Sequence, residues 1–207
     1  MKKVTAIIGS ARKGGATYQA VQEFEHNLKR LGELEFEYVF LSDYQLEFCR
    51  GCKVCFDRGE EHCPLKDDRD VLLGKVADAD GIVLATPNYT FQVSARMKNL
   101  LDRLAYIFHR PRFFGKTCTA IVTQGMFGGK EIAKYLLTMA SNLGFGVAKG
   151  SSISTLEPMT ENQQKKLKKE MKRAAKRFHK HLMRRTQYPE PSLFRLMMFR
   201  ITRTGIR

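Results

Sequence analysis

Short apolar runs alternate along this chain with longer stretches in which apolar residues recur every three or four positions. The runs at 2–8, 34–41, 81–85, 117–122 and 145–151 have the length and composition of β-strands. Helical spacing follows the first four of them, over 18–31, 68–78, 93–104 and 132–143. Five such β–α units predict one α/β domain with an open parallel sheet and helices on both faces.

The last long helical pattern covers residues 160–184 and begins with Thr160 and Gln163 in the spacing of a capping box. Its apolar positions form one stripe, Leu167, Met171, Ala174, Ala175, Phe178 and Leu182. Pro189 and Pro191 follow, and prolines at these positions separate this helical pattern from the segment beyond them. We therefore predict a domain over 1–186, with a cysteine-rich loop at 42–66 after the second strand, and a basic amphipathic tail over 187–207.

The polar candidate residues follow the ends of three predicted strands. The loops at 9–17, 86–89 and 123–129 are rich in Gly, Ser, Thr and Asn. Ligands in open parallel sheets bind at the carboxyl ends of the strands. We therefore expect the functional site where these three loops meet.

The first loop, 9–17, has the residue types that bind a phosphate group. Its small residues allow backbone N–H groups to approach an anion, Ser10 and Thr17 supply hydroxyls, Arg12 supplies a bidentate donor, and a helix begins just beyond. The sequence is neither a Walker A motif nor a G-x-G-x-x-G motif, which disfavours nucleotide hydrolysis. A glycine-rich turn without a ligand is the alternative interpretation.

Four cysteines lie close together, at Cys49, Cys52, Cys55 and Cys63, and the last precedes a proline. The first three have the spacing of ferredoxin ligands, so the four could hold a [4Fe–4S] cluster. Zinc accepts the same ligands, and a redox-active dithiol is a third possibility. The fifth cysteine, Cys118, lies in a predicted buried strand and is expected to be a core residue.

The net charge of +15 is concentrated near the end of the chain. Residues 1–160 carry 21 Lys and Arg against 18 Asp and Glu, whereas residues 161–207 carry 15 against 3. The tail could dock on an anionic membrane or an acidic redox partner, or pack on a neighbouring subunit, and nucleic-acid binding is the weakest alternative. Because no long apolar run or signal peptide occurs, we expect a cytoplasmic protein, in which clustered cysteines indicate metal or redox use before disulfides.

Four segments together resemble the NAD(P)H-dependent FMN reductase family over roughly residues 3–155. They are Gly9-Ser10-x-Arg12-Lys13 to Thr17, Thr86-Pro87-Asn88-Tyr89, Val93-Ser94-Ala95-x-Met97-Lys98-Asn99 and Thr123-x-Gly125-x-x-Gly128-Gly129. The resemblance implies a flavodoxin-like fold with strand order 2-1-3-4-5, a homodimer or homotetramer, and bound FMN. The cysteine motif and its position resemble the iron–sulfur flavoprotein branch of the family, which favours a [4Fe–4S] cluster over zinc.

By this resemblance, the first loop would hold the FMN phosphate, residues 86–89 would flank the isoalloxazine ring, and loop 123–129 would close the far side. The implied FMN-binding residues are Ser10, Arg12, Ala16, Thr17, Thr86, Pro87, Asn88, Tyr89, Thr123, Gly125 and Gly128. Ala16 stands where the iron–sulfur branch commonly has Asn, and Asn88 stands where relatives often have an apolar residue. His62 and His109 are expected to be surface or packing residues, since flavin chemistry needs no catalytic acid or base.

The function implied is an FMN-dependent oxidoreductase that takes electrons from NAD(P)H and passes them to a small molecule or a protein, with a possible relay through the cysteine cluster. A non-catalytic iron–sulfur flavoprotein that carries electrons for a protein partner is the alternative. A zinc-stabilised module that binds its partner through the tail, without flavin, is a third hypothesis.

Overall fold

The computed structural model describes residues 1–156 and 158–184, together with the single positions Leu193, Met197 and Arg200. Leu193 and Met197 are exposed apolar residues. The remaining residues of the predicted tail, 187–207, lie outside the described residues.

The core of the fold is one parallel sheet. Its strands are β1 (Lys2–Ile8), β2 (Leu34–Phe40), β3 (Gly81–Pro87), β4 (Thr117–Gln124), β5 (Gly146–Val147) and β6 (Ser151–Ser154). The order is β2-β1-β3-β4-β5, and β6 also pairs with β4. The predicted doubly wound, flavodoxin-like order 2-1-3-4-5 is confirmed.

Helices cover both faces of this sheet. They are α1 (Ala16–Lys29), α2 (Val54–Asp57), α3 (Arg69–Asp78), α4 (Ala95–Arg103), α5 (Gly129–Asn142) and α6 (Glu161–Leu182). Buried residues of α1 and α6 pack on one face, and those of α3, α4 and α5 pack on the other. Strand side chains point alternately to the two faces, so Val83 joins the first cluster and Ile82 the second.

The edge strand differs from the sequence prediction. A single fifth strand was predicted over 145–151, but the structure has the two short strands β5 and β6 with a break between them. The pairing offset against β4 grows by one residue across the break, because Cys118 faces Val147 whereas Ile121 faces Ser151. One extra residue therefore sits on the edge strand, as in a bulge. Gly150 permits it, since a Cβ there would lie 3.1 Å from the Ala120 carbonyl oxygen.

Two further details correct the sequence analysis. The predicted cysteine-rich loop 42–66 is not entirely irregular, because it contains α2 and a 3₁₀ turn at Glu60–His62, and a second 3₁₀ turn, Leu41–Asp43, overlaps its start. The first helix ends at Lys29, before the predicted Leu31, which is 37% exposed. Among the described residues, no helix is both long and apolar enough to cross a bilayer.

Helix α6 begins at the predicted capping box. Thr160 Oγ1 accepts from the Gln163 backbone N–H, and Gln163 Oε1 accepts from the Thr160 N–H. Six apolar residues of α6 are buried against the sheet, and the Phe178 ring packs 5.5 Å from that of Phe24. Helix α6 is thus part of the domain core.

We predict that Thr160→Ala lowers the free energy of unfolding by about 1 kcal/mol, because it leaves first-turn N–H groups without an acceptor. Urea denaturation measures the change. Thr138→Ala is the control, since Thr138 is exposed within α5 and bonds only to the Lys134 carbonyl. An equal loss in both variants would contradict the capping role.

Candidate functional site

The loops after β1 and β3 are joined by Ser94, the residue that caps α4. Its Oγ donates to the Gly9 carbonyl over 2.8 Å and accepts from the Met97 N–H over 3.3 Å. Its backbone N–H donates to Thr86 Oγ1 over 3.0 Å. A Cβ at Gly9 would lie 2.6 Å from Ser94 Oγ, so only glycine permits this close approach.

The loop after β4 is tied to both of its neighbours. The buried hydroxyls of Thr17 and Thr123 lie 2.7 Å apart and share a hydrogen bond. Asn88 donates from its backbone to the Thr123 carbonyl over 2.7 Å and from Nδ2 to the Phe127 carbonyl over 2.8 Å. The three predicted loops therefore meet at one edge of the sheet.

Exposed aromatic residues stand beside this junction. Phe91 and Phe127 are 58% and 61% exposed, with ring centroids 5.3 Å apart. Tyr89 and Met126 are exposed next to them. Gly128 has φ of 92°, and a Cβ there would lie 3.0 Å from the Phe91 ring and 3.3 Å from Asn88 Nδ2. The pair Phe91–Phe127, here called the aromatic wall, thus depends on a glycine at 128.

The first loop turns sharply into α1. Ser10 is buried, and its Oγ accepts from the Arg12 N–H over 3.2 Å, which fixes the turn. The Arg12 side chain is exposed, whereas Ala16 and Thr17 are buried at the start of the helix. Gly15 precedes α1 and supplies no side-chain cap. First-turn N–H groups of α1 therefore face the loop without a side-chain acceptor, a typical anion-binding arrangement.

The four clustered cysteines line one cavity of about 100 Å³. Cys49 and Cys52 are exposed, Cys55 and Cys63 are half-buried, and all four are free thiols. Burial raises the pKa of the Cys55 thiol, and the other three cysteines add to the rise. Within 1–156 and 158–184, no three His, Cys, Asp or Glu side chains converge closely enough to ligate an ion. The structure thus brings the four thiols to one cavity, without a preformed site for a single ion among the described residues.

Buried Arg103, near the end of α4, fastens the cysteine segment to the domain. Its Nη1 donates to the Glu47 carbonyl over 2.9 Å, and its guanidinium makes a bidentate pair with Asp67, at 2.5 and 3.0 Å. Its Nη2 also lies 3.9 Å from Cys63 Sγ. The anchored stretch from Glu47 to Asp67 contains all four cysteines.

Asp68 directly precedes α3 but makes no side-chain cap, whereas Asp67 accepts from the Arg69 N–H. Asp67 also accepts from the Glu47 N–H, and Asp68 from the Gln45 N–H, over 2.8 and 2.7 Å. Burial alone would raise the pKa of Asp67, but hydrogen bonds from Arg103 and two backbone amides outweigh it and lower the pKa. Asp67 is therefore an ionised, buried anchor.

Cys118, His62 and His109 lie where the sequence predicts them. Cys118 is fully buried, and burial raises the pKa of its thiol. His62 and His109 are exposed, and the His109 ring packs edge-on against Phe56. Pro87 ends β3, Tyr89 is exposed beside the junction, and Gly125 has room for a side chain, with Leu156 3.6 Å from its Cβ position.

Sequence reasoning assigned no role to Ser94, Arg103 or the Phe91–Phe127 pair. Ser94 was detectable as an N-cap before an apolar helical pattern. Arg103 and the aromatic pair carry no local signal, because their partners lie 36 to 56 positions away.

Comparison with known sequences supports the same interpretation. The sequence profile described as NADPH-dependent FMN reductase matches residues 2–156. An iron–sulfur flavoprotein of Archaeoglobus fulgidus is 33% identical over 72% of this chain and 70% of its own length. One of Methanocaldococcus jannaschii is 42% identical over 49% of this chain, an alignment that spans only 51% of that relative.

Solved structures share the fold. An NADH:FMN oxidoreductase in its apo form superposes with a TM-score of 0.65 at 16% identity, covering 93% of this chain and 99% of that one. The profile match extends from β1 to just beyond β6 and includes all three loops of the junction. The chain is an FMN oxidoreductase that belongs to the NADPH-dependent FMN reductase family, in the branch whose curated members are named iron–sulfur flavoproteins.

Proposed function

We propose that the junction of the three loops binds FMN and that the chain uses it to oxidise NADH or NADPH. The meeting of the loops after β1, β3 and β4 at one sheet edge, beside an exposed aromatic wall, carries this proposal. Ser10, Arg12, Ala16 and Thr17 would hold the phosphate with the first-turn N–H groups of α1. Ring contacts would come from the second and third loops, through Thr86, Pro87, Asn88, Tyr89, Thr123, Gly125 and Gly128.

Two features of the junction fit a planar, polar ring. Asn88 Oδ1 is buried without a hydrogen-bond partner, although Nδ2 and the backbone N–H of the same residue are both bonded. A buried acceptor without a donor is costly, so a ligand N–H at this position would stabilise it. The lack of a side chain at Gly128 lets Phe91 and Asn88 approach its backbone closely. When bound, FMN supplies the hydride and electron chemistry, while the protein orients the ring.

We further propose that Cys49, Cys52, Cys55 and Cys63 hold a [4Fe–4S] cluster. The shared cavity and the chemistry of four thiols support this assignment. The names of relatives support it too. Zinc uses the same ligands and is the competing occupant.

The proposal extends to the electron acceptor, the oligomeric state and the cellular location of the protein. The electron acceptor would be a small molecule such as a quinone, or a protein. The exposed aromatic wall is consistent with a homodimer or homotetramer. The five free thiols are consistent with the reducing cytoplasm.

The exposure of Cys49 and Cys52 favours one alternative, a non-catalytic electron carrier that serves a protein partner. Phe48, next to Cys49, is 77% exposed and would contact such a partner. A carrier predicts rapid electron exchange with a reduced ferredoxin-type donor and slow oxidation of nicotinamides.

A steady-state assay separates these functions. FMN-loaded protein is expected to oxidise NADH or NADPH with a quinone or ferricyanide as acceptor. A variant with all four clustered cysteines changed to Ser is expected to keep FMN and quinone reduction but contain no iron. If the wild type fails with both nicotinamides and still accepts electrons from a protein donor, the carrier function replaces the reductase. Iron retained in the Ser variant would contradict the cluster assignment.

A further inference from the structure

The guanidinium of Arg103 contacts both ends of the cysteine segment and one of its sulfurs. Its two Nη atoms bond to the Glu47 carbonyl, to both oxygens of Asp67 and to Cys63 Sγ. These four contacts match the four N–H donors on the two Nη atoms. Each of the four acceptors can therefore be served by a separate N–H, including the one directed at Cys63 Sγ.

The contact between Arg103 and Cys63 is made by a buried guanidinium. The side chains of Arg103 and Asp67 are only 2% and 3% exposed. Asp67 neutralises the guanidinium, so the pair adds little net charge to the cavity. Arg103 therefore acts on the cysteine site through the N–H directed at Cys63 Sγ rather than through net charge. Two further hydrogen bonds to Asp67, from the Glu47 and Arg69 N–H groups, hold the carboxylate in position.

We propose that Arg103 is a positioning residue for the cysteine site, which orients Cys63 through an N–H to sulfur hydrogen bond and raises the reduction potential of the cluster held there. This inference rests on the proposed [4Fe–4S] assignment. Hydrogen bonds to cluster sulfurs are one of the factors that set the potential, because they stabilise the more negative, reduced form. The cluster takes up one electron on reduction and loses it on oxidation, with no proton required.

The same hydrogen bond would also retain the metal. Partners that orient metal ligands typically affect metal affinity by about 10- to 100-fold. Arg103 further holds the backbone on the Cys49 side through the Glu47 carbonyl, so its loss would loosen both ends of the segment.

Arg69 provides a matched control in the same cavity. Its side chain is 5% exposed and it also lines the cavity, but its hydrogen bonds go to the Glu60 carbonyl and to Asp70. Arg69→Lys and Arg103→Lys both keep a positive charge. They differ in whether a donor to Cys63 and a fork for Asp67 are lost.

The test compares wild type, Arg69→Lys and Arg103→Lys after anaerobic reconstitution with iron and sulfide. Iron per chain, the rate of iron loss to a chelator and the midpoint potential from a spectroscopic redox titration are measured. We expect Arg103→Lys to lower the midpoint potential and to weaken iron retention about 10-fold or more. Arg69→Lys is expected to match the wild type in both.

If Arg103→Lys does not fold, the double variant Asp67→Asn/Arg103→Gln removes both buried charges together, and the same drop in potential is expected. If folded Arg103→Lys has the midpoint potential and the iron retention of the wild type, the proposed role of Arg103 is overturned, while the cluster assignment stands. Wild-type protein that binds no iron would overturn the cluster assignment and this inference with it, while FMN binding would be unaffected.

Discussion

Gly128→Ala is expected to weaken FMN binding by about 10-fold or more. Gly128 has φ of 92°, and an L-residue in such a conformation costs about 1–3 kcal/mol. The new methyl group would also press on Phe91, 3.0 Å away, and on Asn88. We expect the loop of the free variant to relax to an unstrained conformation. FMN binding must then force the loop back into the strained conformation, and each 1.4 kcal/mol of that cost weakens binding tenfold.

Fluorescence titration with FMN measures this effect. Gly125→Ala is the comparison in the same loop, because the nearest atom to its added methyl, Leu156 Cδ2, would lie at an ordinary 3.6 Å. We expect a much smaller loss there. Equal affinities of Gly128→Ala and the wild type would show that this loop does not border the flavin.

Asp67→Asn is expected to lower the free energy of unfolding by about 3–5 kcal/mol, because it leaves the buried Arg103 charge without a counter-ion. The exposed pair Lys13–Asp43 offers the contrast, with side chains 61% and 44% exposed. Asp43→Asn should cost less than about 1 kcal/mol. Denaturant unfolding of both variants at neutral pH measures the difference, and similar losses would contradict the anchoring role of Asp67.

The effect of Asp67 depends on pH in a defined direction. Its pKa in the folded protein is lowered below the ordinary value of 3.8. Its ionised form therefore stabilises the fold fully at a pH above 3.8, and this contribution is lost as the pH falls through the lowered pKa. We expect the stability gap between wild type and Asp67→Asn to stay constant near neutrality and to narrow below about pH 4.

The sequence predicts the parallel sheet well because its signals are local. Continuous apolar runs such as that at 81–85, which lies within β3, belong to strands buried on both faces, and each is followed by a helical pattern. Strand order came through the family resemblance. The break in the edge strand near Gly150 was missed, since the run from 145 to 151 is apolar enough to read as one strand.

The candidate site, too, is predictable from the sequence only where its signals are local. Loops rich in Gly and Ser mark the sheet edge, but the bonds that join them depend on tertiary contacts, as between Thr17 and Thr123, 106 positions apart. Asp67 and Asp68 resemble helix caps in the sequence because acidic residues there are typical of N-termini. Only the fold brings Arg103 and Glu47 to Asp67 and makes it an anchor.

Titration of the apo-protein with FMN and with riboflavin tests the central claim most directly. Riboflavin has the same ring but lacks the phosphate that the loop at 9–17 would bind. We expect one FMN per chain and roughly 100-fold weaker binding of riboflavin, as the loss of charge-assisted hydrogen bonds predicts. Failure to bind FMN, or equal affinity for both flavins, would contradict the account of the three-loop junction.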